Sequence, residues 1–247
     1  MLKEERQAFI MKQINLHNKV LSSDLSIQLS VSEDTIRRDL NELAETGKVL
    51  KVYGGALSKS FNYPFQPADT YARDSKKEIA KKVAKLMHNG MVILAGGGTT
   101  MIEVARNMPE HLTGTFFTVS PLVALEMAER SSLDVILIGG RLSKDSHINT
   151  GAQVINQLSE IKADLCLLGT NGLSVDEGVT DSDWEVVQVK KAMIKSSQKT
   201  AIVSIAEKLN SVQKMTVCPL GSVHYLITDV DPHNDSVKGY SKSIEVI

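Results

Sequence analysis

The chain has 247 residues, 42% of them hydrophobic and 23% charged, with a formal net charge of -1; this is the composition of a folded protein with room for two domains. No run of about 18 apolar residues occurs, and the N-terminus MLKEERQAFIMKQ is charged from the start, so neither a membrane span nor a secretory leader is expected and the protein is expected in the cytoplasm. A balanced charge also excludes a polyanion-binding surface made by excess of base, so any contact with nucleic acid must come from where the bases are placed.

In residues 1–57 acids and bases balance, and the pattern is helical. Phe9, Ile10 and Ile14 stand near helical spacing in residues 3–17, and Leu25 and Leu29 stand four apart in residues 23–29. Ser32 then suits an N-cap, Glu33 and Asp34 suit the positive end of a third helix, and Gly47 closes it after about Glu45. Ile36, Leu40 and Leu43 recur at i, i+4 and i+7 and predict a buried stripe. At 100° per residue Arg38 points about 160° away from that stripe, flanked by Thr35 and Arg37. A short helix, a tight turn and a second helix offering Arg and Thr from its first turns is how a recognition helix enters the major groove. An Arg pair on its own is usually just a solvated helix face. What favours the DNA reading is the sequel: Val49–Ala56 reads as a strand meeting a glycine turn, as a wing would, with Tyr53, Gly54 and Gly55 placed to approach phosphates.

Residues 58–74 lack an apolar period and contain Pro64 and Pro67, which predicts a linker and a domain boundary near residue 60. Phe61, Tyr63 and Phe65 alternate within it and could pack it against either domain.

The remainder, 75–247, alternates helical and short apolar segments. The expected helix Lys76–Met87, with Ile79, Val83 and Leu86 on one face, is followed by expected strands Met91–Ala95, Phe116–Val119, Val135–Ile138, Leu165–Leu168, Ala201–Ile205 and Tyr225–Ile227, which predicts an α/β domain with a mainly parallel sheet covered on both faces. Ligands in such sheets bind outside the carboxyl ends of the strands. There the sequence places Gly96-Gly97-Gly98-Thr99-Thr100, Gly139-Gly140-Arg141 and Gly169-Thr170-Asn171-Gly172. One such glycine loop is an ordinary chain turn; three predict a shared pocket, with Thr99 and Thr100 at a helix start offering amides and hydroxyls to an anion. Nucleotide motifs fail, since Met101 stands where a third glycine belongs and no GK[ST] follows. Asp181, Asp183, Glu185 and Lys190 suit either a sugar phosphate or a plain acidic helix start, and Lys208 is either a ligand lysine or a solvated one.

The cysteines, Cys166 and Cys218, lie far apart in apolar runs and read as buried thiols. His17, His88, His111, His147, His224 and His233 are scattered without ligand spacing, so no metal is expected.

The string Val31-Ser32-Glu33-Asp34-Thr35-Ile36-Arg37-Arg38-Asp39-Leu40-Asn41-Glu42-Leu43 and the later Tyr53-Gly54-Gly55-Ala56 resemble the DeoR family of bacterial regulators, with Tyr53 where the family typically has His. The resemblance spans essentially the whole chain, continuing through Gly98-Thr99-Thr100, Thr118-Val119-Ser120-Pro121, Gly139-Gly140, Gly169, Gly178-Val179-Thr180, Val189–Ile194 and Lys208. It implies a winged helix-turn-helix with Ser32, Thr35, Arg37 and Arg38 at the operator. It further implies a domain related to ribose-5-phosphate isomerase that senses a phosphorylated sugar-metabolism intermediate, without a cofactor. Effector contacts are expected from Gly97, Gly98, Thr99, Thr100, Ser120, Gly139, Gly140, Gly169, Thr170, Asp181, Glu185, Lys190 and Lys208. Gly96, Val119 and Ile205 depart from the polar residues the family carries there, which implies an unusual effector or one with fewer hydroxyls.

The expected protein is thus a repressor of carbohydrate-metabolism genes, acting as a homo-oligomer, dimer or tetramer, on paired half-sites of double-stranded DNA. Two alternatives stand beside it. One is a sugar-phosphate isomerase with Asp181 or Glu185 as base and Lys190 as stabiliser; the other is an interaction protein using its winged helix on a protein partner.

Overall fold

The computed structural model describes residues 1–17, 19–58 and 71–247, and the chain divides into two compact units, Met1–Tyr71 and Ala72–Ile247. Phe61, Tyr63 and Phe65 lie outside the described residues.

The first unit runs α1 (Lys3–His17), β1 (Lys19–Leu21), α2 (Ser22–Leu29), α3 (Glu33–Glu45), β2 (Val49–Val52) and β3 (Gly55–Ser58). Its core joins Ile10 and Ile14 of α1, Leu25 of α2 and Ile36, Leu40 and Leu43 of α3 to Val20, Val49 and Ala56 of the sheet, so the spacing of apolar residues in the helices decides which faces meet. The strands form a small antiparallel sheet in the order β1-β3-β2, with Val52 opposite Gly55 across the two-residue turn Tyr53-Gly54. Strand β1 is absent from the sequence reading because three residues carry no measurable alternation. Gly55, read there as part of the turn, instead begins β3 and pairs with Leu21. A Cβ on Gly55 would lie 1.9 Å from the Val20 carbonyl oxygen, so this strand pairing requires glycine.

The second unit opens with α4 (Arg73–Ala84), then β4 (Met91–Ala95), α5 (Thr99–Arg106), β5 (Gly114–Thr118), α6 (Pro121–Arg130) and β6 (Asp134–Leu137). After the hairpin β7 (Arg141–Leu142) and β8 (Asn149–Thr150) come α7 (Ala152–Ser159), β9 (Ala163–Gly169), β10 (Gly172–Ser174), β11 (Gly178–Asp181), α8 (Trp184–Lys195), β12 (Ser197–Val203), β13 (Met215–Cys218), β14 (Tyr225–Ile227) and β15 (Glu245–Val246). Seven strands form one sheet in the order β15-β14-β12-β9-β4-β5-β6, every pairing parallel. Leu165, Cys166, Leu167 and Leu168 are buried in succession along β9, so both faces of the central strand are covered. Cys166 and Cys218 are both buried free thiols; burial pushes Cys166 up to about 12 and Cys218 up to about 11.

A second antiparallel sheet, β10-β11-β13, packs beside this core and was not expected from sequence. Helix α4 begins three residues before the expected start and ends three before the expected end, while Ser58, expected in the linker, closes β3 as a buried residue.

Candidate functional site

In the first unit the start of α3 is fixed by its own cap. Ser32 Oγ accepts the Thr35 amide at 3.2 Å and lies 2.9 Å from Thr35 Oγ1, a pairing that satisfies one of the helix's free N–H groups. Further along α3, Asp39 and Glu42 tie it to α1: Arg6 Nη2 donates to Asp39 Oδ1 at 3.2 Å, Gln7 Nε2 to Glu42 Oε2 at 2.9 Å and Lys3 Nζ to Glu42 Oε1 at 2.7 Å. Asp39 and Glu42 are therefore fastenings between helices, while Arg37 and Arg38, in the turn before Glu42, are exposed. The two arginines differ. Arg37 reaches Glu33 at 3.2 Å and Asp34 at 3.5 Å, whereas Arg38 has no hydrogen bond or ion pair among the described residues. At the wing, Tyr53 is fully exposed, Gly54 takes a φ of +80°, and its carbonyl accepts the Ser22 amide at 2.8 Å.

In the second unit the carboxyl ends of β4, β9 and β12 carry an electropositive recess. Gly98 caps α5 with a φ of +104° and no side chain, a conformation open to glycine, leaving the first-turn amides to a ligand or water. The Thr99 and Thr100 hydroxyls, half-buried, have no side-chain partner among the described residues. Gly97 packs so closely on Ser120 and Ile148 that a Cβ would lie 3.2 Å and 2.5 Å from their side chains, while a Cβ on Gly169 would lie 3.5 Å from the Gly97 carbonyl oxygen. The loops after β4, β5 and β9 thus meet.

Lys190 Nζ donates to Gly169 O at 2.8 Å and to Asp181 Oδ2 at 2.7 Å. Asp181 also accepts from Asn171 Nδ2 at 3.0 Å and the Ser182 amide at 2.7 Å. Burial would raise this carboxyl, but Lys190, Asn171 and Ser182 outweigh it and hold it below the usual range. Lys208, half-buried in a short 3-10 turn, stands near both: burial and repulsion from Lys190 bring it down to about 8 against the pull of Asp181. Lys76 of α4, 6% exposed, is brought down to about 7 by burial and by repulsion from Lys208, against the pull of Glu103. Glu103 itself is held by Arg106 at 2.9 Å, with Arg73 at 3.8 Å. Lys208 repels Lys76, and the helix of Lys76 packs on the helix that Thr99 begins, so a multiply charged anion held here would relieve the lysines.

Lys76 was absent from the sequence candidates. It reads there as one of several lysines on an amphipathic helix, and only the fold brings it to Lys208. Other candidates are engaged in holding the surrounding loops. Glu185 is paired with Arg141 of β7 and lies 3.4 Å from Thr150 Oγ1. Gly140 packs on Val154 and the Thr150 carbonyl, and Gly139 O accepts Gln157 Nε2 at 3.0 Å. Thr170 Oγ1, buried, donates to Gly172 O at 2.7 Å and holds the turn. Among the described residues no His, Cys, Asp and Glu cluster suits a metal, and no helix is long and apolar enough to cross a membrane.

A winged helix-turn-helix joined in one chain to an α/β domain of this kind defines a DNA-binding regulator that carries its own sensor. Residues 6–61 match the DeoR-like helix-turn-helix domain and residues 72–230 the DeoR C terminal sensor domain. The chain is 30% identical over 228 residues, 91% of it and 90% of the relative, to the HTH-type transcriptional regulator GolR of Listeria innocua serovar 6a. It is 32% identical over 225 residues, 90% of it and 88% of the relative, to the Glycerol-3-phosphate regulon repressor of Haemophilus influenzae. Its fold is similar to that of ribose 5-phosphate isomerase A from Methanocaldococcus jannaschii, at 18% identity and a TM-score of 0.42, covering 56% of this chain and 55% of that one. The chain belongs to the DeoR family of transcriptional regulators.

Proposed function

We propose that the protein represses carbohydrate-metabolism genes from the cytoplasm, binding operator DNA as a dimer or tetramer and changing its grip when a phosphorylated sugar or related metabolite enters the sensor domain. The observation that carries the effector class is the start of α5, where Gly98 leaves the first-turn amides uncapped and the Thr99 and Thr100 hydroxyls have no side-chain partner among the described residues, with the buried Lys76 on the helix packed against it. The phosphate is assigned to Lys76, Lys208, the Thr99 and Thr100 hydroxyls and the amides after Gly97 and Gly98, with Ser120 and Gly169 forming the floor. Lys190 and Asp181 border the sugar. Gly139, Gly140, Thr170 and Glu185 are assigned to shaping the surrounding loops. No cofactor is required.

Gly96, Val119 and Ile205 are all buried and apolar where the family resemblance calls for polar groups, which favours an effector with few hydroxyls. At the operator, Arg38 is assigned to a base edge, Ser32, Thr35 and Arg37 to the backbone and neighbouring bases, and Tyr53 with Gly54 to phosphate contact from the wing; Gly55 keeps the wing's strand pairing. Only a ligand with unequal affinity for the DNA-competent and DNA-incompetent states can switch binding. The test is effector titration of an operator complex. A sugar phosphate that shifts affinity in the wild type but not in Lys76→Met/Lys208→Met supports the assignment, and an unchanged shift in that variant contradicts it.

A further inference from the structure

The sensor domain has a second cleft at the other end of its sheet. It lies over the amino ends of β9 and β12, between the carboxyl-terminal parts of α7 and α8, and encloses about 670 Å³. Strand β9 alone, seven residues long, sets it about 20 Å from the carboxyl-end recess. Ile155, Ile161 and Ala192 give it an apolar wall, and its charged residues are Lys162, Lys191 and Lys195. No acidic side chain lines it. The neighbouring Asp164 faces β4 and Gln198, accepting the Val92 amide at 2.8 Å and Gln198 Nε2 at 3.4 Å. None of the three lysines has an ion pair or hydrogen bond among the described residues.

The cleft also holds an orphan. Gln188 lines it, and its side-chain nitrogen is buried without a hydrogen-bond partner, a state that is costly unless a ligand or water accepts from it. A lysine near the end of α8 is expected from the helix dipole alone, which explains Lys195 but neither Lys162 nor the unsatisfied Gln188. A cavity of this size with an apolar wall and a few convergent donors is the form of a small-molecule site.

We propose that this cleft binds a small organic anion, a phosphate or carboxylate carried on a compact apolar body, with the anionic group between Lys162, Lys191 and Lys195 and an acceptor atom on Gln188. The apolar body packs on Ile155, Ile161 and Ala192. Helix α8 serves both ends of the domain, since it also carries Lys190 to Asp181.

The probe is phenyl phosphate, titrated calorimetrically into the full-length protein, with inorganic phosphate as comparison. In Lys76→Met/Lys208→Met, where the carboxyl-end recess has lost its lysines, phenyl phosphate is expected to bind more tightly than inorganic phosphate and to lose at least about tenfold when Lys191→Glu/Lys195→Glu is added, where attraction becomes repulsion. Lys191 and Lys195 are exposed, so the fold is retained, and Ala192→Phe provides a second variant that fills the cleft without altering charge and is expected to abolish binding. Affinity unchanged by the charge reversal and by Ala192→Phe, or no binding once Lys76 and Lys208 are replaced, would each overturn the proposal.

Discussion

Sulfate binding to the sensor domain is expected to depend steeply on pH, because its charge is constant across the range in which Lys76 and Lys208 titrate, near 7 and near 8. A bound dianion favours the protonated form of both lysines, so binding takes up the protons they lack. At pH 7.5 that is about one proton per sulfate, and affinity falls about 100-fold from about pH 6.5 to 8.5. Calorimetry in buffers of different ionisation enthalpy reads the proton uptake directly, and the affinity series reads its integral. In Lys76→Met only Lys208, near 8, remains, so the fall shrinks to about fourfold. Stability without ligand runs the other way. Both lysines are depressed in the folded chain, so the unfolded chain holds the extra protons and stability rises as pH climbs from about 7 toward the ordinary lysine value of 10.5. Sulfate affinity flat between pH 6.5 and 8.5, with no proton uptake, would refute the reasoning that the two lysines share one anion.

The remaining predictions concern the other parts of the machinery. Arg38→Ala is expected to weaken operator binding by about 1–3 kcal/mol while leaving a scrambled duplex nearly unaffected; in an anisotropy titration at fixed salt, equal losses on both duplexes would make Arg38 a phosphate contact instead. Arg37→Ala should lose less, because Glu33 and Asp34 already compete for that guanidinium. Gly55→Ala should separate β3 from β1, given the 1.9 Å approach to Val20 O, and is read as DNA affinity lost together with a lower melting temperature of the first unit. Thr99→Val/Thr100→Val should leave operator binding intact and remove the response to effector; a preserved response would place the anion elsewhere. The single tryptophan, Trp184, is 64% exposed and begins the helix that carries Lys190, so its fluorescence offers a direct reading of these titrations.

Much of this architecture is legible in the sequence because it rests on local, repeated signals. Ile36, Leu40 and Leu43 fix the buried side of α3, and all three are buried, so the exposure of Arg38 follows from helical geometry. Short apolar runs mark the central strands β4, β9 and β12, whose burial on both faces removes any need for alternation. What the sequence conceals is long-range. Strand β1 is three residues pairing with a strand more than thirty positions away, and β10, β11 and β13 form a sheet whose segments look like loops. Lys76 and Lys208 are far apart in the chain, and Lys76 has the local look of a solvated helix lysine. Gly55 looks like a turn residue, yet the nearness of Val20, invisible in any local window, gives it a place in a strand.

The most direct test is operator binding at fixed salt, using the DNA upstream of the chain's own gene, with and without a panel of sugar phosphates. The account predicts tight, salt-sensitive binding whose affinity is shifted by one phosphorylated compound and by none of the unphosphorylated sugars. A shift produced equally by an unphosphorylated sugar, or by none of the panel, would contradict a sensor built around Lys76 and Lys208.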